Sequence, residues 1–302
     1  MKRGLICIDE KIYSREGKPI KIVGISCGNR NYLECAREDP VSLFYLKLAL
    51  EEAKKAGAVV ELIDLRELKI GPCKECYSTC PAQCRFNEKN FQCDCYLFKE
   101  DHFFVNENKI MSIEEAYDYL DKENFFKIYY NKNRFAERDD MWKVYKAMME
   151  ADGVIFATST SFYSRSPLLQ TMLSRFCALD GGVEELWGDG KNLKKSIEYS
   201  KNPKNKYKQR MYGRWCAFIN CSKEGDSVSP DLMKACSMMG MRIIPFSSAY
   251  RVNWYDDKTH RKDTINSRKD KFSLTLVKNL GKEMVEQIKK SERKYGVYSK
   301  IV

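Results

Sequence analysis

The sequence predicts an α/β fold built on a doubly wound, five-stranded parallel sheet. Five apolar segments have the length of strands, at residues 20–25, 58–65, 153–158, 215–220 and 241–246, and the second is rich in residues that suit a buried parallel sheet. Helical patterns alternate with them along the chain. This composition is typical of strands that helices cover on both faces. Ligands of such sheets bind beyond the carboxyl ends of the strands, so the loops after residues 25, 158, 220 and 246 are the candidate binding loops.

The helices are predicted from their end signals and from their periodicity. For the first helix, Asp39 is the predicted N-cap and Pro40 the first helical residue. An apolar stripe follows at helical spacing, formed by Leu43, Leu46, Leu50 and Ala53. Later helices are predicted for residues 139–150, 166–178, 231–239 and 273–290.

Composition bounds the class of protein. A chain of 302 residues, 43% of them hydrophobic, can bury a full core, and residues 1–302 are predicted to form one domain. The N-terminus turns acidic before an apolar stretch of signal-peptide length, and no run of about eighteen apolar residues occurs. We therefore expect a cytoplasmic, reduced protein with no membrane span.

The formal net charge is a moderate +11, from 53 Lys and Arg against 42 Asp and Glu. Much of the excess lies in residues 191–210, within a glycine-rich and basic excursion at residues 180–212. A solvated loop or surface helix is the favoured interpretation of that stretch. The alternatives are a site for an anionic partner, such as a nicotinamide dinucleotide phosphate, or for RNA. Interleaved tyrosines without a known nucleic-acid motif do not make nucleic acid an expected partner.

Six of the thirteen cysteines fall within one short stretch, which is the strongest chemical signal in the chain. Four of them are the predicted metal ligands, Cys73, Cys76, Cys80 and Cys84, and two are possible replacements, Cys93 and Cys95. Disulfide frameworks belong to small secreted domains, whereas closely spaced thiolates converge on zinc or on the irons of a cluster. A [4Fe–4S] cluster, a structural zinc and unmetallated, redox-active thiols all stay open.

The stretch opens a long segment, residues 73–138, before the next predicted helix. Structureless loops beyond about 12–15 residues are uncommon in compact domains. The segment is therefore predicted to be a Cys-rich insertion lobe that needs its own organiser. A metal could serve, since zinc binding supplies on the order of 10 kcal/mol toward folding such a lobe.

Four motifs carry a resemblance to a known family. A Ser-x-Gly-Asn-Arg-Asn loop begins at Ser26, and a Pro-Cys-x-x-Cys motif ends at Cys76. An Asp-Asp-Met motif begins at Asp139, and an Ala-Asp-Gly-Val-Ile strand with its following loop covers residues 151–175. Over roughly residues 18–290, the chain resembles the flavodoxin-like NAD(P)H-dependent FMN reductases, and especially the iron–sulfur flavoproteins.

The resemblance implies an FMN site on three loops. The phosphate would lie on the first loop, at Ser26, Asn29, Arg30 and Asn31. The flavin ring would lie against the second loop, at Thr158, Ser159, Thr160, Ser161, Phe162 and Tyr163, and against the third, at Ser222, Lys223 and Gly225. Ser159 and Ser161 replace the proline and tyrosine usual in the family. Three acids near the phosphate loop are expected to turn outward, Glu34, Glu38 and Asp39.

Cys27 lies in the predicted phosphate loop, near a helix N-terminus that can lower the pKa of a thiol. A reactive thiol and a bystander are both open interpretations, and the bystander is favoured.

The predicted function is an FMN-dependent oxidoreductase with a [4Fe–4S] cluster, which moves electrons from NAD(P)H or a ferredoxin-like donor to an acceptor. No side chain needs to act as an acid or a base in hydride transfer, so no catalytic residue is predicted. The resemblance also implies a homo-oligomer. The alternative function is a zinc-stabilised, non-enzymatic module that binds RNA or another anionic partner.

Overall fold

The computed structural model describes residues 13–33, 38–75, 86–87, 91–93, 96, 104–106, 109–111, 139–161, 163–180, 207–222, 228–252 and 269–300. Thirteen strands lie in these ranges: β1 Tyr13–Ser14, β2 Lys21–Ser26, β3 Val59–Asp64, β4 Phe86–Asn87, β5 Gln92–Cys93, β6 Phe104–Asn106, β7 Lys109–Met111, β8 Gly153–Ser161, β9 Ser164–Arg165, β10 Tyr207–Tyr212, β11 Trp215–Ser222, β12 Arg242–Val252 and β13 Lys294–Lys300. The α-helices there are α1 Val41–Lys55, α2 Met141–Glu150, α3 Pro167–Ser174, α4 Cys177–Asp180, α5 Ser229–Met238 and α6 Lys271–Lys290.

The central sheet contains the five predicted strands in the order β12-β11-β8-β2-β3, all parallel. Its register places Ile25 beside Ile63 on one side and beside Phe156 on the other. The chain builds outward from β2 to β3 and then crosses back to β8 on the opposite side of β2. The switch in strand order therefore lies between β2 and β8, where doubly wound sheets bind their ligands.

Helices cover both faces of this sheet, as the apolar strands require. Side chains at alternate positions of each strand enter two separate cores. Ile22 contributes to the core beneath α1 and α6, whereas Val23 contributes to the core beneath α2, α3 and α5. Both cores are continuous across the sheet, which fixes the register of the strands that carry the candidate loops.

Helices α1 and α6 approach closely at Gly281, where a Cβ would overlap the carbonyl oxygen of Ala49. Replacing Gly281 with alanine is expected to lower the free energy of unfolding by about 1–3 kcal/mol, because the two helices must move apart. Alanine alone favours a helix over glycine by about 1 kcal/mol, so a stabilised variant in urea unfolding would contradict the close approach. Asn279→Ala, at an exposed position of the same helix, is the matched control.

The start of α1 corrects one prediction. Pro40, not Asp39, is the N-cap, and among the described residues no side chain caps this helix. The Asp39 carboxylate instead accepts a hydrogen bond from Arg66 Nη1 at 2.8 Å. The prediction was wrong because Arg66, 27 residues away, forms an ion pair with the carboxylate that the local pattern assigned to the helix cap. Strands β11 and β12 also continue past the predicted ends, to Ser222 and Val252.

A second, antiparallel sheet was not predicted, with strand order β1-β13-β10. Strand β10 lies within the excursion at residues 180–212, whose polar, basic sequence hides its pairing. The fully buried Asp152 joins this sheet to the central one, since it accepts hydrogen bonds from the Arg293 guanidinium and from the backbone N–H of Lys21. Among the described helices, none is both long and apolar enough to cross a membrane.

Candidate functional site

A pocket of about 320 Å³ opens at the carboxyl ends of β2, β8 and β11. Three loops and the start of α1 line it, with the residues Asn29, Arg30, Pro40, Val41, Ser42, Ser159, Thr160, Ser161, Cys221 and Ser222. The fold thus brings together six of the predicted cofactor-binding residues: Asn29, Arg30, Ser159, Thr160, Ser161 and Ser222. The pocket lies at the switch point of the sheet, where a ligand is expected.

The first loop folds tightly over the start of α1. A Cβ at Gly28 would lie 2.6 Å from Cβ of Pro40 and 3.0 Å from Oγ of Ser42, so the contact requires glycine. The Cys27 N–H donates to the carbonyl of Ala157 at 2.7 Å, which extends the β2–β8 pairing into the loop. The fifteen-residue helix α1 has no acid in its first turn. Its N-terminal amides and dipole therefore face the pocket as an anion-binding end.

Two hydroxyl groups beside this loop are buried, and the described part of the chain offers them no hydrogen-bond partner. Ser26 Oγ and Ser42 Oγ are both shielded from solvent, and neither has a hydrogen-bond partner among the described residues. Ser26 projects toward α1, as the alternation from Ile22 requires, and Ser42 lies in the first turn of that helix. A buried hydroxyl without a partner costs about 1–3 kcal/mol. Ser42 lines the pocket and Ser26 does not, and a ligand that accepted hydrogen bonds from these hydroxyls would remove that cost.

Ser42 was missed by the sequence reasoning, which ended its phosphate loop at Asn31. A serine two residues after Pro40, inside the first turn of the helix, was the available signal. Asn31 does not line the pocket. Its side-chain oxygen accepts from the Leu33 N–H at 3.0 Å and stabilises the loop's own turn.

The acids near the first loop are engaged by arginines. Glu38 lies 3.6 Å from the Arg30 guanidinium, and Asp39 is bound by Arg66. Arg66 also donates to the backbone oxygen of Arg30 at 2.6 Å. Hydrogen bonding to Asp64 raises the pKa of Arg66, and the bond to Asp39 adds to the effect. The expected outward turn holds for the half-exposed Asp39, while Glu34 lies outside the described residues.

The second loop is a tight hairpin in which β9 folds back on the end of β8. Thr160 pairs with Arg165 and Ser161 pairs with Ser164. Tyr163, at the tip, is 68% exposed and has a φ of +57°, a left-handed conformation that costs a tyrosine free energy. Phe162 lies outside the described residues.

Ser166 joins the first and second loops. It is the N-cap of α3, where its hydroxyl accepts the Leu169 N–H, and it donates to the carbonyl of Cys27 at 2.6 Å. Thr158 Oγ1 lies 3.4 Å from the same hydroxyl and is buried beneath the pocket. Thr158 therefore supports the loop and does not line the cavity.

The third loop begins where β11 ends, at Cys221 and Ser222, and both of these residues are buried. Asn220, also buried, was missed as a site residue. Its Nδ2 lies 3.4 Å from Thr160 Oγ1 and ties β11 to the hairpin. An asparagine at the end of a predicted buried strand was the signal. Lys223 and Gly225 lie outside the described residues.

Cys27 is a bystander in this arrangement. It is fully buried in the core, and burial raises the pKa of its thiol, with a further contribution from the Asp64 carboxylate. A neutral, inaccessible thiol is not a nucleophile.

The Cys-rich segment is fastened to the body by a buried arginine. Arg175 Nη1 donates to Asp139 Oδ2 at 2.7 Å and to the carbonyl of Gly71 at 2.9 Å. Its Nη2 donates to Gln92 Oε1 at 3.0 Å, and its guanidinium lies 3.7 Å from the centre of the Tyr96 ring. Residues on both sides of the cysteine run thus converge on the C-terminal end of α3.

Of the six candidate metal ligands, the structure describes two. The Cys73 thiol is partly exposed and accepts a hydrogen bond from the Glu75 N–H at 3.4 Å. The backbone N–H of Cys73 donates to the Ser174 hydroxyl. Cys93 is buried, with its sulfur 3.3 Å from the hydroxyl of Tyr145. Cys73 suits a ligand better than Cys93, whose sulfur is directed into the core. Four candidates lie outside the described residues, Cys76, Cys80, Cys84 and Cys95. Within the described part of the chain, no group of three metal-ligating side chains occurs.

No protein-family model matches the chain, and no curated protein sequence matches it. Among solved structures, RosB with bound 8-demethyl-8-formylriboflavin-5'-phosphate is similar, with a TM-score of 0.50 at 12% identity over 90% of this chain and 81% of RosB. A flavone reductase gives 0.45 at 16% identity over 89% of this chain and 63% of its own. An azoreductase from Bacillus anthracis str. Sterne gives 0.45 at 11% identity over 88% and 99%.

These identities bear on the fold alone, and the resemblance of the sequence motifs is confirmed at that level. The five-stranded parallel sheet and its helices on both faces agree with the prediction. The chain is a flavodoxin-like α/β protein.

Proposed function

We propose that this protein is an FMN-dependent oxidoreductase. The observation that carries the proposal is the pair of buried hydroxyls, on Ser26 and Ser42, that have no partner among the described residues beside the start of α1. A phosphate would accept hydrogen bonds from both, together with amides of the first loop and of the helix N-terminus. Gly28 leaves room for the close approach of that loop to the helix.

The rest of the pocket suits the flavin ring. Ser159, Thr160 and Ser161 on one wall and Ser222 on the other offer hydroxyls and backbone groups to its polar edge. Tyr163 extends from the hairpin tip, where it can cover an apolar ring face. Among the described lining residues there is no carboxylate, so an anionic ligand meets no like charge there. FMN, when bound, supplies hydride and single-electron exchange, while these residues orient it and exclude water.

The electron donor is proposed to be NAD(P)H or a ferredoxin-like protein. The test is the visible absorption spectrum of protein purified without oxygen, followed by addition of NADH or NADPH. We expect flavin bands that one of the two nucleotides bleaches. Protein that is colourless, and that does not bind added FMN, would contradict the proposal. Size-exclusion chromatography with light scattering tests the proposed homo-oligomer.

A [4Fe–4S] cluster on the Cys-rich segment is the further part of the proposal. It is supported by the spacing of Cys73, Cys76, Cys80 and Cys84 and by the partly exposed thiol of Cys73. Metal analysis is expected to give about four irons per chain, and a Cys76→Ala, Cys80→Ala double variant is expected to lose them. Zinc without flavin would favour the zinc-stabilised binding module instead.

A further inference from the structure

We propose that Arg165 and Asp231 form a clamp that positions the hairpin against the flavin ring. The inference rests on the proposed FMN site and assigns two positioning residues to it. Neither residue lines the pocket, so the effect must pass through the residues that do. The clamp is the ion pair between the Arg165 guanidinium and the Asp231 carboxylate.

All three nitrogens of the Arg165 guanidinium in the clamp contact an acceptor. Arg165 Nε donates to Asp231 Oδ2 at 2.9 Å, and Nη2 lies 2.6 Å from the same oxygen. Arg165 Nη1 donates to Gln170 Oε1 at 2.6 Å, which fixes the third nitrogen of the guanidinium to α3. A planar guanidinium held at all three nitrogens has one orientation, and it connects the end of the hairpin to α5 and α3. The pair is partly exposed, at 30% for the Arg165 side chain and 43% for that of Asp231.

The clamp connects the two walls of the pocket between which the flavin ring is proposed to lie. Arg165 is the last residue of the hairpin and pairs with Thr160, which lines one wall. Asp231 lies in the first turn of α5, the helix that follows the opposite wall at Ser222. The hydrogen bond between Asn220 and Thr160 connects the same two walls on the inside. Together they set how far apart the walls stand.

The clamp holds the strained tip of the hairpin in place. A tyrosine with φ of +57° persists only where the surrounding structure holds it. Two pairs of residues form the hairpin ladder, and Arg165 belongs to one of them. Releasing Arg165 would let Tyr163 relax toward an ordinary conformation and leave the position in which it covers the ring.

The test is the affinity for FMN and for riboflavin, which lacks the phosphate, measured by flavin fluorescence. Arg165→Gln and Asp231→Asn are each expected to raise the Kd for both flavins by about twofold to fivefold and by the same factor, as the loss of a partly exposed ion pair allows. Bound FMN should then show a visible band closer to that of free flavin. The double variant should bind no more weakly than either single variant, since both remove one interaction. Arg165→Lys should recover part of the affinity.

Lys55→Gln, which breaks an exposed pair with Glu52 at the far end of α1, is the matched control and should change neither Kd. Wild-type protein that binds both flavins, with unchanged affinities in Arg165→Gln, would overturn the clamp and leave the FMN site standing. A loss of affinity confined to FMN would also overturn it, because the effect would then lie at the phosphate. Wild-type protein that binds neither flavin would instead overturn the proposed function.

Discussion

Replacing Arg175 with methionine is expected to lower the free energy of unfolding by about 3–5 kcal/mol, because it leaves a buried carboxylate without its counter-ion. The Arg175 side chain is 1% exposed, and that of its partner Asp139 is 11% exposed. Burial lowers the pKa of Arg175, but Tyr145, Cys93 and Asp139 together raise it, so the guanidinium stays charged. Methionine replaces only the part of the side chain up to the position of Nε, and it offers no donor to Asp139, Gly71 or Gln92.

Urea unfolding measures the loss of stability in Arg175→Met, and two further variants serve as its controls. Lys143→Met breaks an exposed pair with Asp140, at 2.7 Å on the same stretch of chain, and should change stability by less than about 1 kcal/mol. Adding Asp139→Asn to Arg175→Met should restore part of the loss, since the unpaired charge is then removed. Equal effects of Arg175→Met and Lys143→Met would show that the buried pair does not fasten the Cys-rich segment.

The same cluster shows what the sequence could predict and what it could not. The five sheet strands are short runs of mostly apolar residues whose local pattern suffices, so all five were predicted. Asp139 and Asp140 were predicted only to begin a helix. They also bind the N–H groups of Gly71 and Lys69, and Asp139 binds Arg175, at distances in sequence of 36 residues or more. Contacts between residues so far apart leave no local pattern.

The candidate site also has a part that could be predicted from the sequence and a part that could not. The three loops could be placed because they follow predicted strands, and six of their predicted residues line the pocket. Ser42 and Asn220 were missed because their roles depend on how closely one loop approaches another element. Strand β10 was missed because its partner is β13, about ninety residues later, and a lone strand of polar residues reads as a solvated loop.

Replacing both Ser26 and Ser42 with alanine is expected to stabilise the ligand-free protein and to weaken FMN binding. Each substitution removes a buried hydroxyl without a described partner, whose desolvation costs about 1–3 kcal/mol. The same hydroxyls would each donate to the phosphate, and a hydrogen bond to a charged group contributes about 1.5–3 kcal/mol. The Kd for FMN should therefore rise by about tenfold to a hundredfold for each serine.

Riboflavin separates this effect from a general disturbance of the pocket, because it has no phosphate and its affinity should not change. Ser273→Ala is the matched control, since that serine is also buried but its hydroxyl donates to Asp270 at 2.7 Å. It should lower stability by about 1 kcal/mol and leave the Kd for FMN unchanged. Opposite signs of the stability change in two kinds of buried serine, together with the loss of FMN affinity, would support the view that Ser26 and Ser42 are kept at a cost to stability for a ligand. A double variant that loses stability would mean that those hydroxyls already have partners, and the phosphate site would lose its main support.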